Sequence, residues 1–315
     1  MKSTDLLQRL GFGPGRRVAI LHADDVGMCH GANTAFLELA RSGRLTCGSV
    51  MMPCPWSPEM ARVAAEDRTL DLGVHLTLTS EWAGYRWGPL TRAGKASGLI
   101  DDEGYFHRTV ADLAAGVAVE AAEEEMRAQI DRALAFGIDV THLDTHMGAA
   151  LSPPLIEAYC RIGRDYRLPV LLPRRADDYA RVLKLDLLGA KEALSDAAKR
   201  LDEEGVPLVD DFRMTPGVAS EESAAAYRNL VEALPDGLTF VALHPNMSGD
   251  IEAIVPPRAH YRTDEVRLLS GGAIAGWLEA NGIGTVGMRP LRDLYRKAVS
   301  PVTNNIPPER KSGYD

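Results

Sequence analysis

Acidic and histidine side chains stand at the ends of several short apolar runs, a position that points to chemistry. Asp24 and Asp25 follow the run VAIL, His75 lies in DLGVHLTL, and His244 ends TFVALH. Carboxylate and imidazole groups bind divalent metal ions, and they are also common general acids and bases. If folding brings these four side chains together, the sequence predicts a site for metal-assisted or acid–base chemistry.

The segment IDVTHLDTHMG adds three more candidates, His142, Asp144 and His146. On a helix, a spacing of four residues would set the two imidazoles on one face. The Ile, Val and Thr content favours a strand instead, and a strand puts all three side chains on one side. The imidazoles share a face in either geometry, so both are compatible with metal binding. His142 and Asp144 are then candidates for contact with a substrate.

A metal ion would resolve an electrostatic conflict at this cluster. Adjacent Asp24 and Asp25 would repel each other in a shared pocket of low dielectric constant unless a cation or proton intervenes. Two neutral imidazoles and one carboxylate leave coordination positions open for water or substrate, and a bound ion activates that water. The second carboxylate is then free to act as a general base. Alternatively, the Asp pair caps a helix, His75 is a buried histidine with its hydrogen bonds satisfied, and His244 simply ends a strand before Pro245.

Short apolar runs alternate with amphipathic stretches along most of the chain. We expect strands at 18–23, 47–52, 72–78, 138–145, 168–172, 206–209, 238–243 and 283–286. We expect helices around 32–40 and 122–134, and over 154–166, 187–204, 220–234 and 264–281, the last beginning at Asp264–Glu265. About eight such β–α units predict a TIM-barrel-like α/β fold, with a doubly wound open sheet as the alternative. The carboxyl ends of barrel strands face one way, so the candidate residues would converge there.

The stretch 81–119 interrupts this rhythm and is too long for an ordinary connection. We interpret it as an insertion over the mouth of the site, within a single domain spanning 1–315 that ends in a poorly packed tail from about residue 300. Trp82, Tyr85 and Trp87 could form a small core for the insertion or a platform that stacks on sugar rings. Tyr85, Arg86 and Trp87 are therefore candidate substrate-binding residues.

Composition excludes several classes of function. The 315-residue chain is 45% apolar, carries a net charge of −9 and has no basic stripe, which argues against binding nucleic acid or an anionic membrane. Four scattered cysteines and the lack of a signal-like apolar segment suggest a cytoplasmic protein. The chain has no Walker A motif and no G-x-S-x-G motif, and its GFGPG precedes the first expected strand. Chemistry based on ATP, NAD or a nucleophilic serine is disfavoured.

Four motifs together resemble the YdjC-like (ChbG/HpnK) carbohydrate deacetylase family: HADDVGMCHGAN, DLGVHLTLT, THLDTHMG and LHPN, within about residues 18–294. The resemblance implies a TIM-barrel-like fold and removal of an N-acetyl group from an amino sugar or small oligosaccharide. It also implies one divalent ion, Mg²⁺ or Zn²⁺, held by Asp25, His75 and His146. Asp24 would be the base that deprotonates the attacking water, and His244 the candidate acid for the leaving amine.

The chain departs from the family pattern in two places. Val26 stands where Phe is usual, and Met147-Gly148-Ala149 replaces a His-rich continuation on the substrate side. The metal triad is unaffected, but chitobiose-type sugars cannot be assumed as substrates. A metal-dependent sugar isomerase and a non-catalytic sugar-binding protein are the alternative functions. The resemblance also suggests a homodimer, with a small N-acetylated carbohydrate as the partner molecule.

Overall fold

The computed structural model describes residues 3–298. The strands in this range are β1 (Arg17–Val26), β2 (Cys47–Val50), β3 (Leu72–Leu76), β4 (Val140–Thr145), β5 (Asp211–Met214), β6 (Gly237–Leu243) and β7 (Gly284–Thr285). The helices are α1 (Ser3–Arg9), α2 (His30–Arg41), α3 (Ser57–Glu66), α4 (Val110–Gly116), α5 (Val119–Ala135), α6 (Ile156–Tyr166), α7 (Ala176–Val182), α8 (Lys191–Glu203), α9 (Ser220–Glu232), α10 (Asp250–Ile254), α11 (Ala259–Ser270), α12 (Ala273–Ala280) and α13 (Met288–Ala298). No helix within these residues is long and apolar enough to cross a membrane.

The strands form one parallel sheet in the order β4-β3-β2-β1-β6-β5, with β7 paired to the start of β1. Strand β1 therefore lies between β2 and β6, so that the sixth strand along the chain pairs with the first. This order is typical of a barrel, whereas a doubly wound sheet reverses its strand order partway across. The predicted TIM-barrel-like α/β fold is confirmed.

An extended segment connects the two outer strands of this sheet. Leu143 of β4 donates its backbone N–H to Pro169 and accepts one from Leu171, at 2.9 and 2.8 Å. Further along, the backbone N–H of Arg174 donates to the carbonyl of Val209 at 2.9 Å, just before β5. Backbone hydrogen bonds thus continue from β4 to β5 and curve the sheet around a central core.

Burial explains why these strands read as apolar runs. Nearly every residue of β1 and all of β6 are buried, as expected for parallel strands covered on both faces. Helix α2 turns Ala32, Phe36 and Leu39 toward the core, as its 3.6-residue periodicity predicts. The core includes polar residues, since His22 and His142 lie in it and the His22 ring centroid is 4.6 Å from that of Phe240.

Several predicted element boundaries were wrong. The helix expected over 264–281 is two helices, α11 and α12, which separate at Gly271 and Gly272; Gly272 has a left-handed φ of 77°. Asp264 and Glu265 do not begin a helix but lie buried in the middle of α11. The runs 168–172 and 206–209 are not regular strands, and in the first of them only Val170 forms an isolated bridge, to Leu143. Leu134, the last residue of the apolar stripe Ala122, Met126, Ile130, Ala133 and Leu134 from which the helix around 122–134 is predicted, is exposed.

The insertion lies beside the carboxyl end of β4 and has little regular structure. Between β3 and α4 it contains a short 3₁₀ helix, Lys95–Ser97. Trp87 is buried and donates its Nε1–H to the carbonyl of Thr79 at 2.8 Å, so it serves as core for the loop. Its ring centroid is 6.0 Å from that of His146. The predicted tail from about residue 300 falls outside the described residues, and the single domain over 1–315 stays a prediction.

Candidate metal centre

Three predicted ligands converge at the carboxyl ends of the strands. Asp25 is near the end of β1, His75 is near the end of β3, and His146 directly follows β4. Nε2 of His75 lies 3.5 Å from Oδ1 of Asp25, and Nδ1 of His146 lies 3.1 Å from the same oxygen. One donor atom from each residue falls within 4.8 Å of the others, and all three residues are buried. Parallel strand topology therefore produces a compact site that could hold a metal ion.

An irregularity in β1 orients the two adjacent aspartates. The pairing of β1 with β2 shifts register between Ala23 and Val26, and Asp25 has a left-handed φ of 60°. Asp tolerates this conformation better than most residues, yet backbone strain of this kind costs of order 1–3 kcal/mol and occurs mainly at functional sites. The irregularity sends Asp25 toward the two histidines and leaves Asp24 beside them.

The two oxygens of the Asp25 carboxylate have different surroundings. Its Oδ2 accepts a hydrogen bond from Nη2 of Arg262 at 2.7 Å. Its Oδ1 is buried and receives no hydrogen bond of good geometry from any residue in 3–298. Burial alone would raise the pKa of Asp25, but Arg262 and His146 hold it well below the usual value. A buried, ionised oxygen that makes no hydrogen bond of good geometry and lies beside two imidazole nitrogens fits a divalent metal ion.

Each candidate histidine ligand has a carboxylate on its other ring nitrogen. Nδ1 of His75 lies 3.0 Å from Oδ1 of Asp144, and Nε2 of His146 lies 2.9 Å from Oε2 of Glu81. Burial lowers the pKa of His146, but Glu81 and Asp25 outweigh it and raise the pKa to about 10. Burial also opposes protonation of His75, yet Asp144 raises its pKa. Carboxylate partners of this kind orient the histidine ligands of metal sites.

The predicted base and acid lie side by side at the edge of this cluster. Oδ1 of Asp24 is 2.6 Å from Nδ1 of His22, and its Oδ2 is 3.7 Å from Nε2 of His244. Nε2 of His22 is in turn 2.9 Å from Nε2 of His142. Burial lowers the pKa of His142 to about 3, so this ring is uncharged. The two buried imidazoles therefore support Asp24 from within the barrel.

A cavity of about 150 Å³ covers the cluster, and its walls include Asp24, Asp25, Asp144 and His244. The other predicted substrate-binding residues have internal partners. The Tyr85 hydroxyl donates to the carbonyl of Met28 at 2.6 Å, Arg86 donates to Asp101 at 2.7 Å, and Trp87 and His142 are buried. Contact of these residues with a substrate stays a prediction.

Sequence reasoning missed Glu81, Arg262 and Glu265. Glu81 follows β3 closely and could have been included as a further acidic group at a strand end. Arg262 and Glu265 lie on one face of α11, where a charged segment usually indicates a solvated surface, yet both are buried. A second cavity of about 240 Å³, lined partly by Trp82, Arg262 and Tyr261, adjoins the first.

The parallel sheet and the cluster of one carboxylate and two imidazoles at its strand ends place this protein in the class of barrel proteins with a candidate metal centre. The model of the family described as YdjC-like protein matches residues 18–280. The chain belongs to this family, and the resemblance carried by the four motifs is confirmed.

Curated relatives of the chain have an enzyme name. A protein from Thermus thermophilus, named carbohydrate deacetylase, is 39% identical over 241 residues, covering 76% of this chain and 81% of the relative. Another carbohydrate deacetylase, from Thermoanaerobacter pseudethanolicus, is 27% identical and covers 84% of this chain and 95% of its own length. The crystal structure of a candidate cellobiose-phosphate cleavage protein from Enterococcus faecalis has the same fold. Its TM-score is 0.70 at 21% identity, over 88% of this chain and 99% of that protein.

Proposed function

We propose that this protein is a carbohydrate deacetylase, a hydrolase that removes an N-acetyl group from an amino sugar or small oligosaccharide. The names of its relatives support the reaction class. The observation that carries the proposal is the buried Oδ1 of Asp25, which lies 3.5 and 3.1 Å from ring nitrogens of His75 and His146 and makes no hydrogen bond of good geometry with the described residues. A water molecule and an acetamide carbonyl could both reach this position through the cavity above it.

Asp25, His75 and His146 would hold one divalent cation, Mg²⁺ or Zn²⁺. Such an ion, when bound, lowers the pKa of water and polarises a carbonyl group. Arg262 keeps the Asp25 carboxylate ionised, and Glu81 and Asp144 orient the two imidazoles. The protein therefore supplies both the donor atoms and the groups that position them.

Asp24 is the proposed base. Its Oδ1 is held by His22, so Oδ2, which faces His244, is the oxygen available to accept a proton from the attacking water. His244 is the proposed acid that protonates the leaving amine, because its side chain lines the same cavity and its Nε2 lies 3.7 Å from Asp24. The roles of base and acid thus fall to neighbouring side chains.

The adjoining cavity of about 240 Å³ is the proposed site for the sugar ring. It shares Met214, His244 and Arg262 with the cavity over the metal centre, and Trp82 and Tyr261 give it two aromatic walls. Aromatic faces suit the apolar side of a sugar, and a few polar groups then fix its orientation. The identity of the sugar, the homodimer and the cytoplasmic location stay predictions.

Release of acetate tests the proposal. The purified protein, loaded with Mg²⁺ or Zn²⁺, should free acetate from at least one member of a panel of N-acetyl sugars and simple acetamides. Asp24→Asn should keep its metal content and lose activity by roughly 10²–10⁴-fold, the typical contribution of a general base. If the wild-type protein releases acetate from no compound of the panel, the proposal of deacetylation is rejected. Loss of metal from Asp24→Asn would show that the two aspartates have the opposite roles.

A further inference from the structure

A chain of hydrogen bonds leads from the partly buried His244 into the helical layer. Nδ1 of His244 is 2.8 Å from the Thr215 hydroxyl, which lies 2.6 Å from Oε1 of Glu265. The Tyr227 hydroxyl donates to the same oxygen of Glu265, and the backbone N–H of His244 donates to its Oε2 at 2.5 Å. Glu265 and Tyr227 are buried, in α11 and α9. This chain lies on the side of the ring away from Asp24.

The direction of each hydrogen bond follows from the number of protons available. Three donors surround the Glu265 carboxylate, an arrangement that suits the ionised form, which can only accept. The single hydroxyl proton of Thr215 then points to Glu265. The Thr215 oxygen must therefore accept the remaining hydrogen bond, and the proton in it comes from Nδ1 of His244.

We propose that Glu265 is a positioning residue that acts through Thr215 and holds the proton of neutral His244 on Nδ1. The proposal rests on the proposed function, in which His244 protonates the leaving amine. The lone pair of Nε2 then faces Oδ2 of Asp24 across 3.7 Å. The fixed tautomer matters because ring nitrogens differ in role according to the hydrogen bond that each makes.

With this tautomer, the proton that the attacking water loses can reach the leaving amine, so the reaction needs no external acid. The water oxygen forms a bond to the acetyl carbon, and one water proton passes to Asp24. That proton moves to Nε2 of His244 and then to the nitrogen of the amine as the carbon–nitrogen bond breaks. His244 ends the cycle neutral with its proton still on Nδ1, and Asp24 ends it ionised.

Thr215 offers a cleaner test than Glu265. Glu265 also binds the backbone of His244, so its replacement would shift the ring as well as its proton. Thr215→Val removes the hydroxyl but keeps the branched shape, whereas Thr215→Ser keeps the hydroxyl. A role that is only structural would depend on shape, while the proposed role depends on the hydroxyl. The two variants therefore form a matched pair.

The position of the proton can be read by nuclear magnetic resonance of the full-length protein carrying ¹⁵N-labelled histidine. Burial raises the pKa of Glu265 to about 7, so spectra are recorded at about pH 8, where the carboxylate is ionised. His244→Gln identifies the His244 signals by their loss. We expect the Nδ1-protonated tautomer in the wild-type protein and in Thr215→Ser, and a shift toward the Nε2-protonated tautomer in Thr215→Val.

Kinetics provide the second readout. Thr215 also lines the proposed sugar cavity, so kcat and not KM is the readout. With any sugar that the wild-type protein deacetylates, Thr215→Val should lower kcat by roughly tenfold, and Thr215→Ser should recover most of it. An Nε2-protonated wild-type ring, or an unchanged tautomer in a folded Thr215→Val, would overturn the proposal. If the wild-type protein deacetylates nothing, the proposed function fails, while the spectra still decide the position of the proton.

Discussion

Replacement of Asp25 by Asn should strongly destabilise the metal-free protein, because Arg262 would keep its charge and lose its carboxylate partner. The Asp25 side chain is 1% exposed and that of Arg262 10%, and their nearest atoms are 2.7 Å apart. Breaking a buried ion pair by removing one partner costs roughly 3–5 kcal/mol. Asn has the same shape as Asp and also tolerates a φ of 60°, so backbone strain does not add to the loss.

Urea unfolding of the metal-free proteins measures this loss. Combining Asp25→Asn with Arg262→Met should recover much of it, since the unpaired charge is then removed. Asp102→Asn is the control, because Asp102 forms an exposed pair with Lys95 and should leave the unfolding midpoint unchanged. A loss below about 1 kcal/mol for Asp25→Asn, the range of exposed ion pairs, would refute the electrostatic account of the site.

Two further predictions follow from the shifted pKa values. Because the pKa of His146 is raised to about 10, its ring is charged in the metal-free protein at about pH 8. Zn²⁺ must displace that proton, so calorimetry in buffers of different ionisation heat should detect release of roughly one proton, and less in Glu81→Gln. Burial raises the pKa of Glu265 from 4.5 to about 7, so the folded state keeps a proton that the unfolded state loses. Stability from this group should therefore fall as pH rises from about 4.5 to 7, by at most roughly 3 kcal/mol at 1.36 kcal/mol per pKa unit. Urea unfolding across this range should show a steeper fall of stability in wild type than in Glu265→Gln.

The barrel could be predicted because its signals are local. Runs such as VAIL in β1 and TFVAL in β6 are buried on both faces, and a strand of that kind is recognisable from its apolar residues alone. The segments 168–172 and 206–209 have the same composition but make few strand pairings. Pairing depends on neighbours that are distant in sequence, so composition could not separate these segments from true strands.

The metal ligands could be predicted for a related reason, since each stands at the carboxyl end of a strand. Which aspartate faces the histidines could not be read from local pattern, because the register shift between Ala23 and Val26 decides it. Arg262 reaches Asp25 across 237 positions of the sequence. Its helix, with charges throughout, has the pattern of a solvated surface. Only the packing of α11 over the strand ends reveals that it belongs to the site.

Gly73 in β3 leaves room for the His142 ring, which helps to position Asp24 through His22. A methyl group on Gly73 would lie 2.6–2.7 Å from three atoms of the His142 ring, which must then move. His142 contacts His22, and His22 holds Asp24, at 2.9 and 2.6 Å. Gly73→Ala should therefore lower kcat while metal content, measured by elemental analysis, is retained.

Gly276→Ala is the matched control for this experiment, because a methyl group there meets open space within α12. It should leave kcat unchanged and stabilise the helix by up to about 1 kcal/mol. Full activity in Gly73→Ala would mean that the two buried imidazoles do not position the base. Loss of metal would mean instead that the methyl group disturbs His75, two residues further along β3. The packing around His142 and the metal centre would then be coupled.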